Sequence, residues 1–174
     1  MSAIPPWLQD AILYEDKAVI AFAKPAGLAS QGGRGQTQDL ESLLAAFADQ
    51  KGRRPHLAHR LDAETSGVIV AGKTKAAIAA LNAAFAGREA EKTYLALVCG
   101  GAPEPAAGTI DAPLQKTQVG HQVVMRPAAP DARGAMSAVT AFETLAANPA
   151  AALLRLQPQT GRMHQLRAHC ALLG

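Results

Sequence analysis

The residues best suited to chemistry stand close together in the segment His59–Gly67, which reads HRLDAETSG. The Asp62 carboxylate can act as a nucleophile or a general base, and the His59 ring can titrate near neutral pH. The segment follows a basic stretch and precedes the apolar residues Val68–Ala71, a position that suits a catalytic loop on a rigid scaffold. A local turn closed by Asp62 and Thr65 explains the same residues without catalysis. The residue types alone leave both interpretations open.

A second polar group lies near the other end of the chain, between Pro158 and His169. His164 and His169, together with Cys170, could suggest a metal site. However, helical zinc ligands are usually spaced i, i+4, which these two histidines are not, and no carboxylate lies nearby in the sequence. We therefore expect no bound metal.

The distribution of charge is more informative than its total, which is a net +3 with a pI of about 9.1. Residues 50–61 contain no acid, and no acid follows Glu143. The basic residues of these two segments are Lys51, Arg53, Arg54, His56, His59, Arg60, Arg155, Arg162, His164, Arg167 and His169. If the segments converge, they form a surface that binds phosphate groups. The alternative is the solvated face of an ordinary basic protein.

Composition excludes some classes of protein. Hydrophobic residues make up 49% of the chain and charged residues 18%, which is typical of a globular protein rather than a disordered one. No apolar run approaches the roughly 20 residues that span a bilayer, and the first residues lack the pattern of a secretory signal. With only Cys99 and Cys170, we expect a reduced, cytoplasmic protein without a membrane partner.

The apolar pattern predicts mainly strands around these segments. They are expected at Lys17–Ala23, Val68–Ala71, Thr93–Cys99, Ala138–Leu145 and Ala151–Leu156, with shorter ones around Ile110 and over Gln122–Met125. In the strand that begins at Thr93, period-two alternation places Tyr94, Ala96 and Val98 on one side.

Three helices are predicted by i, i+3, i+4 spacing. The first begins near Asp39, the second ends at Gly87, and Thr160 is expected to cap the third. Their apolar faces consist of Leu40, Leu43, Leu44 and Phe47; Ile78, Leu81 and Phe85; and Met163, Leu166, Cys170 and Leu173. Residues 29–38 are rich in glycine and are expected to form a loop. Since strands outnumber helices and do not alternate with them, we predict an α+β fold. Helices and loops would flank a mostly antiparallel or mixed central sheet, in a single domain spanning residues 1–174.

Four segments resemble, in the same order, the sequence blocks of one enzyme family. His59–Gly67 resembles the HRLDxxTSG signature of the RluA family of pseudouridine synthases. Tyr14–Asp16 and Lys24–Leu28 resemble its opening block, and Lys92–Tyr94 resembles its tyrosine block. Pro158–His169 resembles its PxTGRxHQ(I/L)RxH block.

The resemblance implies a pseudouridine synthase catalytic domain that isomerises a uridine within ribosomal or transfer RNA. It implies that Asp62 is the essential aspartate and that Tyr94 lies beside the target base. It also implies that Arg167 pairs with the aspartate and keeps it ionised. The residues implied to bind the RNA substrate are His59, Arg60, Thr65, Arg162, His164 and Gln165.

The implied reaction requires no cofactor, since it breaks the N1–C1′ bond, turns the base and joins C5 to C1′ without any oxidation. The target nucleotide must first leave its stack, at a cost of roughly a few kcal/mol. Three routes stay open. Asp62 adds to ribose C1′, adds to C6 of the base, or promotes elimination to a glycal with assistance from Tyr94. We favour action at the sugar.

The chain departs from the family pattern in three places. Met163 stands where Thr or Ser is usual, and Ala168 stands where Val is common. Family members continue well beyond the Pro158–His169 block, whereas this chain ends at Gly174. We therefore expect that C-terminal strands of the domain are missing. We also expect a monomer that recognises its RNA without a separate binding domain.

Two other functions remain compatible with the residues. A non-catalytic RNA-binding module would need only the basic segments. A hydrolase that uses Asp62 and His59 would release a small product, whereas isomerisation leaves substrate and product with equal mass.

Overall fold

The computed structural model describes residues 4–32, 38–120 and 122–173. The chain divides into two compact units, Met1–Ala90 and Glu91–Gly174. The single domain expected for residues 1–174 stays a prediction. None of the helices in the three described ranges is both long and apolar enough to cross a membrane.

Among its described residues, the first unit contains a four-stranded antiparallel sheet and three helices. Its strands are β1 (Ile12–Glu15), β2 (Val19–Lys24), β3 (His56–Leu57) and β4 (Gly67–Gly72), and its helices are α1 (Pro6–Asp10), α2 (Leu40–Leu43) and α3 (Lys75–Ala86). The strand order is β1–β2–β4–β3. The two central strands pair Ile20 with Ala71 and Phe22 with Ile69, and all four side chains are completely buried. Burial of such apolar side chains stabilises the sheet by about 1.5–3 kcal/mol for each large residue.

In the first unit α2 begins near the predicted residue and α3 ends near the predicted one, whereas α1 was not predicted. The Asp39 carboxylate accepts a hydrogen bond from the Ser42 amide at 2.8 Å and caps α2, which continues as a 3-10 turn over Leu44–Phe47. Thr74 caps α3, and Gly87 follows its last residue as expected. A Cβ atom at Gly72 would lie 2.7 Å from Ile78 Cγ1, so glycine is required where α3 packs against β4.

The described part of the second unit contains a four-stranded antiparallel sheet, a two-stranded hairpin and one short helix. Its elements are β5 (Tyr94–Cys99), β6 (Ala107–Asp111), β7 (Leu114–Val119), β8 (Gln122–Pro127), β9 (Val139–Ala147), β10 (Ala151–Pro158) and α4 (Gln165–Cys170). The order in the larger sheet is β5–β10–β9–β6, and β7 pairs with β8. Buried side chains of β6, β9 and β10 form its core, namely Ile110, Phe142, Ala152, Leu154 and Leu156. Leu166 and Cys170 of α4 pack against this core.

The α+β class with antiparallel sheets is confirmed, because every pairing between the named strands is antiparallel. The sequence did not predict β1, β3 or β7. The prediction that Thr160 caps the third helix is wrong. α4 begins at Gln165, because His164 adopts a left-handed conformation (φ +49°), and the Thr160 side chain bonds β9 instead. The loop predicted over residues 29–38 includes residues 33–37, which lie outside the described residues.

Candidate functional site

The Asp62 loop, residues 58–66, joins β3 to β4 in the first unit. Asp62 is half-buried, and its backbone carbonyl accepts a hydrogen bond from the Thr65 amide at 3.0 Å, so the chain turns at this residue. Gly67 is the first residue of β4 and has a φ of +135°, a backbone conformation that residues other than glycine rarely adopt. The turn therefore places the carboxylate just before a buried central strand.

Lys24, at the end of β2, holds the Asp62 loop through its side chain. The residue is only 2% exposed. Its Nζ donates to three backbone carbonyls, those of Pro25 at 2.8 Å, Leu28 at 2.6 Å and Ala63 at 3.1 Å. Burial lowers the pKa of Lys24, and the nearby carboxylates of Glu64 and Asp62 oppose that shift. The buried ammonium thus links the opening segment to the residue that follows Asp62.

Ser30 holds the residue that precedes Asp62. Its Oγ donates to the Leu61 carbonyl at 2.7 Å and accepts from the Leu61 amide at 3.0 Å, and both residues are buried. The Ala63 carbonyl also accepts from the Gly27 amide at 2.8 Å. Both chain neighbours of Asp62 are therefore fixed by hydrogen bonds to the segment 24–30.

His59 contacts the scaffold of the first unit. Its Nε2 accepts a hydrogen bond from the Val70 amide at 3.1 Å, and its ring lies 4.5 Å from that of Phe85 in α3. Because a backbone amide only donates, Nε2 is unprotonated and the neutral ring carries its proton on Nδ1. In the same loop Arg60 is exposed and Thr65 is half-buried. Contacts of these three residues with RNA stay a prediction.

Tyr94 is the first residue of β5 in the second unit. It pairs with Leu156 of β10 and is half-buried. As predicted, Tyr94 shares its side of the strand with Ala96 and Val98, and the three pack against the core of the larger sheet. Leu95, on the other side, is 66% exposed.

The short helix α4 presents two different faces. Gln165 and His169 are one turn apart and buried, at 4% and 0% exposure, whereas Arg167 lies between them and is exposed. Just before the helix, Arg162 Nε donates to the Ser137 carbonyl at 2.9 Å, and His164 is half-buried.

The Gln165 amide group is fully used inside the second unit. Oε1 accepts from Thr160 Oγ1 at 2.8 Å and from the Arg162 amide at 3.0 Å. Nε2 donates to the Val139 carbonyl and to Thr140 Oγ1, each at 3.0 Å. Gln165 thus fixes the backbone of Arg162, and a direct contact between Gln165 and RNA stays a prediction.

His169 is held between two elements. Its Nε2 donates to the Ala112 carbonyl at 3.1 Å, and its Nδ1 lies 2.9 Å from Thr140 Oγ1. Burial lowers the pKa of His169, while the bond to Ala112 and the charge of Asp111 oppose that shift. The neutral ring therefore carries its proton on Nε2 and accepts a hydrogen bond at Nδ1.

The structure groups the predicted site residues by unit. One loop of the first unit carries His59, Arg60, Asp62 and Thr65. One segment of the second unit carries Arg162, His164, Gln165 and Arg167, and Tyr94 lies on β5. The pairing of Asp62 with Arg167 stays a prediction. Within the described parts of the chain, no three His, Cys, Asp or Glu side chains cluster closely enough to hold a metal ion.

Sequence reasoning missed Ser30 and Thr140 among the residues that hold these segments, and it named Lys24 and Thr160 without recognising that they do so. Lys24 was named as part of a family block, and Thr160 as a helix cap and part of another block. A lysine followed by proline at the end of an apolar strand is a weak signal for a buried ammonium, because proline ends the strand and leaves carbonyls without strand partners. Ser30 and Thr140 carry no such signal.

Comparison with known families identifies the family of this chain. Residues 18–172 match the family described as RNA pseudouridylate synthase. The chain belongs to the RNA pseudouridylate synthase family. The resemblance to the RluA family is thereby confirmed, and pseudouridine synthases are isomerases.

Two curated relatives illustrate the similarity. The chain is 35% identical over 179 residues to the rat (Rattus norvegicus) protein named pseudouridylate synthase RPUSD4, mitochondrial, covering 92% of this chain and 47% of the relative. It is 34% identical over 167 residues to ribosomal large subunit pseudouridine synthase C of Vibrio vulnificus, covering 96% of this chain and 50% of the relative. The chain thus spans about half the length of these curated relatives.

Solved structures support the same fold. The structure titled human RNA pseudouridylate synthase domain containing 4 matches with a TM-score of 0.80 at 31% identity, covering 95% of this chain and 65% of that chain. The structure titled human RNA pseudouridylate synthase domain containing 1 matches with a TM-score of 0.76 at 24% identity, which concerns the fold alone.

Proposed function

We propose that this pseudouridine synthase chain converts a uridine in RNA to pseudouridine and that Asp62 is the reacting carboxylate. The observation that carries the proposal is the Asp62 loop, in which hydrogen bonds to the segment 24–30 fix both Leu61 and Ala63. A reacting group must be held at a fixed place, since a misplacement of about 1 Å can cost roughly 100-fold in rate. Asp62 itself is only half-buried, which leaves room for a substrate to approach.

The proposed reaction balances without any added group. The N1–C1′ bond of the uridine breaks, the detached base turns, and C5 joins C1′ while the proton on C5 is lost and N1 gains one. Asp62 acts as the nucleophile during this exchange, Tyr94 lies beside the base, and Arg167 supplies the charge that keeps the carboxylate ionised.

Access to the uridine requires that the nucleotide leave its stack. This base flipping costs roughly a few kcal/mol, less for a base in a loop than for a paired one. In the proposal Arg60 and Arg162 contact the phosphates and sugar of the displaced strand, and His59, Thr65, His164 and Gln165 also bind the RNA substrate. Such contacts make binding salt-dependent.

We propose ribosomal or transfer RNA as the substrate. The name of the Vibrio vulnificus relative refers to the large ribosomal subunit, which supports the first of these two substrates. Mapping pseudouridines in total RNA from cells with and without the gene tests the proposal. A site that disappears on deletion identifies the target, and a transcript that spans this site becomes the substrate for assays in vitro. An unchanged map would contradict the proposal.

Asp62→Asn is the decisive variant, and Glu64→Gln is its matched control. Both substitutions remove one negative charge from the same loop, close to the Lys24 ammonium. We expect Asp62→Asn to abolish pseudouridine formation on the mapped transcript while its RNA affinity stays within a few-fold of wild type. Glu64→Gln should retain both pseudouridine formation and RNA affinity. Substantial turnover by Asp62→Asn would refute the role of the carboxylate.

The two basic segments favour a second candidate function, a non-catalytic RNA-binding module. It predicts that the chain binds the transcript and forms no pseudouridine, even when it is extended to the full length of its relatives. Isomerisation predicts product from the wild-type chain and none from Asp62→Asn.

A further inference from the structure

Thr140 connects α4 to the sheet of the second unit through a single hydroxyl group. The residue lies in β9 and is completely buried. Its Oγ1 is within hydrogen-bond distance of two side chains of α4, Gln165 Nε2 at 3.0 Å and His169 Nδ1 at 2.9 Å. One hydroxyl therefore contacts the helix at two points.

The directions of these hydrogen bonds are determined by their end groups. Gln165 Nε2 only donates, so Thr140 Oγ1 accepts from it. The Ala112 carbonyl only accepts, so His169 holds its proton on Nε2 and leaves Nδ1 as an acceptor. The Thr140 proton then points at Nδ1. Because position 140 must accept one bond and donate another, only a hydroxyl side chain in this place completes the chain of hydrogen bonds.

Two fixed points on one face determine the rotation of a short helix. Gln165 and His169 are four residues apart and lie on the same face, whereas Arg167 is midway between them and points away from it. α4 has only six residues, and helices of that length are not stable by themselves in water, so tertiary contacts decide its orientation. Holding Gln165 and His169 therefore sets the direction of Arg167.

We propose that Thr140 is a positioning residue for pseudouridine formation, because its buried hydroxyl binds Gln165 and His169 together and so sets the place of Arg167. The inference rests on the proposed function. It adds to that function a residue outside the four sequence blocks, which acts through α4 and not on the RNA.

The same strand contains a matched control. Thr144, four residues further along β9, has a buried Oγ1 with no hydrogen-bond partner within the described residues. Valine has the shape of threonine without its hydroxyl, so Thr140→Val and Thr144→Val are chemically the same change. Thr140→Val leaves Gln165 and His169 without their shared partner, whereas Thr144→Val leaves no broken bond.

The experiment measures single-turnover pseudouridine formation and binding affinity with the transcript that spans the mapped uridine. We expect Thr140→Val to slow the maximal rate by roughly tenfold or more and to change the affinity far less, because a displaced group affects the reacting geometry more than the remaining RNA contacts. Thr144→Val should match wild type in both measurements. Thr140→Ser keeps the hydroxyl and should recover most of the rate.

A double variant separates positioning from a general loss of structure. If Thr140 acts through Arg167, then Thr140→Val should add little further loss in a chain that already carries Arg167→Ala. A Thr140→Val chain that is folded and as fast as wild type would overturn the inference, and so would an equal additional loss in the Arg167→Ala background. If Thr140→Val does not fold, Gln165→Met tests the same attachment from the helix side, since it removes the bond to Thr140 along with the other three of that amide group, and the same test of additivity applies. If the wild-type chain forms no pseudouridine, the proposed function itself fails. If only the inference about Thr140 fails, the wild-type chain is still active, so the two failures are distinguishable.

Discussion

The Asp62 loop and α4 are both held by buried polar side chains, but the chemistry of the two attachments differs. In the loop, a charged Lys24 and a neutral Ser30 bond the backbone on either side of Asp62. In α4, neutral side chains bond one another, with Thr140 and Gln165 at the centre. The loop is thus fixed through its main chain, and the helix through its side chains.

This difference determines how each region responds to change. Lys24 stays charged as the pH falls, so its hydrogen bonds to the Asp62 loop should not change. The attachment of α4 depends on a neutral His169, because only the neutral ring accepts the Thr140 proton at Nδ1. A charged attachment to backbone carbonyls is therefore insensitive to acid, and a neutral side-chain network is not.

The largest effect is expected from Lys24→Met, which removes the ammonium that three carbonyls share. Carbonyls left without a donor in a buried place are costly, so the free energy of unfolding of the first unit should fall by about 2–4 kcal/mol. Chemical denaturation followed by the fluorescence of Trp7, the single tryptophan of the chain, reports on this unit. Lys17→Met, at an exposed lysine, is the control and should leave the midpoint unchanged. Equal midpoints for the two variants would contradict the role of Lys24.

A smaller effect is expected from Ser30→Ala, which leaves the buried amide and carbonyl of Leu61 without their shared partner. We expect a loss of about 1–3 kcal/mol in the free energy of unfolding. Amide hydrogen exchange should also become faster at Leu61. Ser66→Ala, the same change at an exposed serine of the Asp62 loop, should alter neither quantity. Unchanged exchange at Leu61 in Ser30→Ala would show that the hydroxyl does not hold the loop.

The smallest effect is expected from acid, through His169 of the second unit. Burial lowers the pKa of His169 in the folded chain, so the unfolded chain binds more protons once the pH falls below the ordinary histidine value of about 6.5. The stability that His169 contributes is therefore complete above that value and decreases as the pH falls through the folded pKa. Asp111 carries the charge that opposes the shift.

Hydrogen exchange of the amides in α4 and β9, measured between neutral pH and a pH of about 5 and corrected for the intrinsic effect of pH, checks this expectation. Protection should decrease with acid in the wild-type chain and decrease less in His169→Gln, which cannot gain a proton. The same pH dependence in both chains would mean that His169 is not the responsible group.

Sequence patterns predicted most of the elements that are built from neighbouring apolar residues. β2, β4, β5, β9 and β10 were found from their apolar runs, and α3 from its periodicity and from Gly87. β7 was missed because its residues, LQKTQV, are mostly polar and become a strand only by pairing with β8. The start of α4 was misplaced because Thr160 looks like a cap, yet its hydroxyl bonds β9 and Gln165.

The family, the antiparallel α+β class and the loop that carries Asp62 follow from the amino-acid sequence, because each of these depends on residues that are close together in the chain. The contacts that hold that loop and α4 become known only from the folded structure. The register of β2 against β4 places Lys24 opposite Gly67, beside the Asp62 loop, and the packing of α4 on β9 places Gln165 and His169 at Thr140. Hydrogen bonds act over about 3 Å whatever the separation along the chain, so partners that are distant in sequence are known only once the strands and helices have packed.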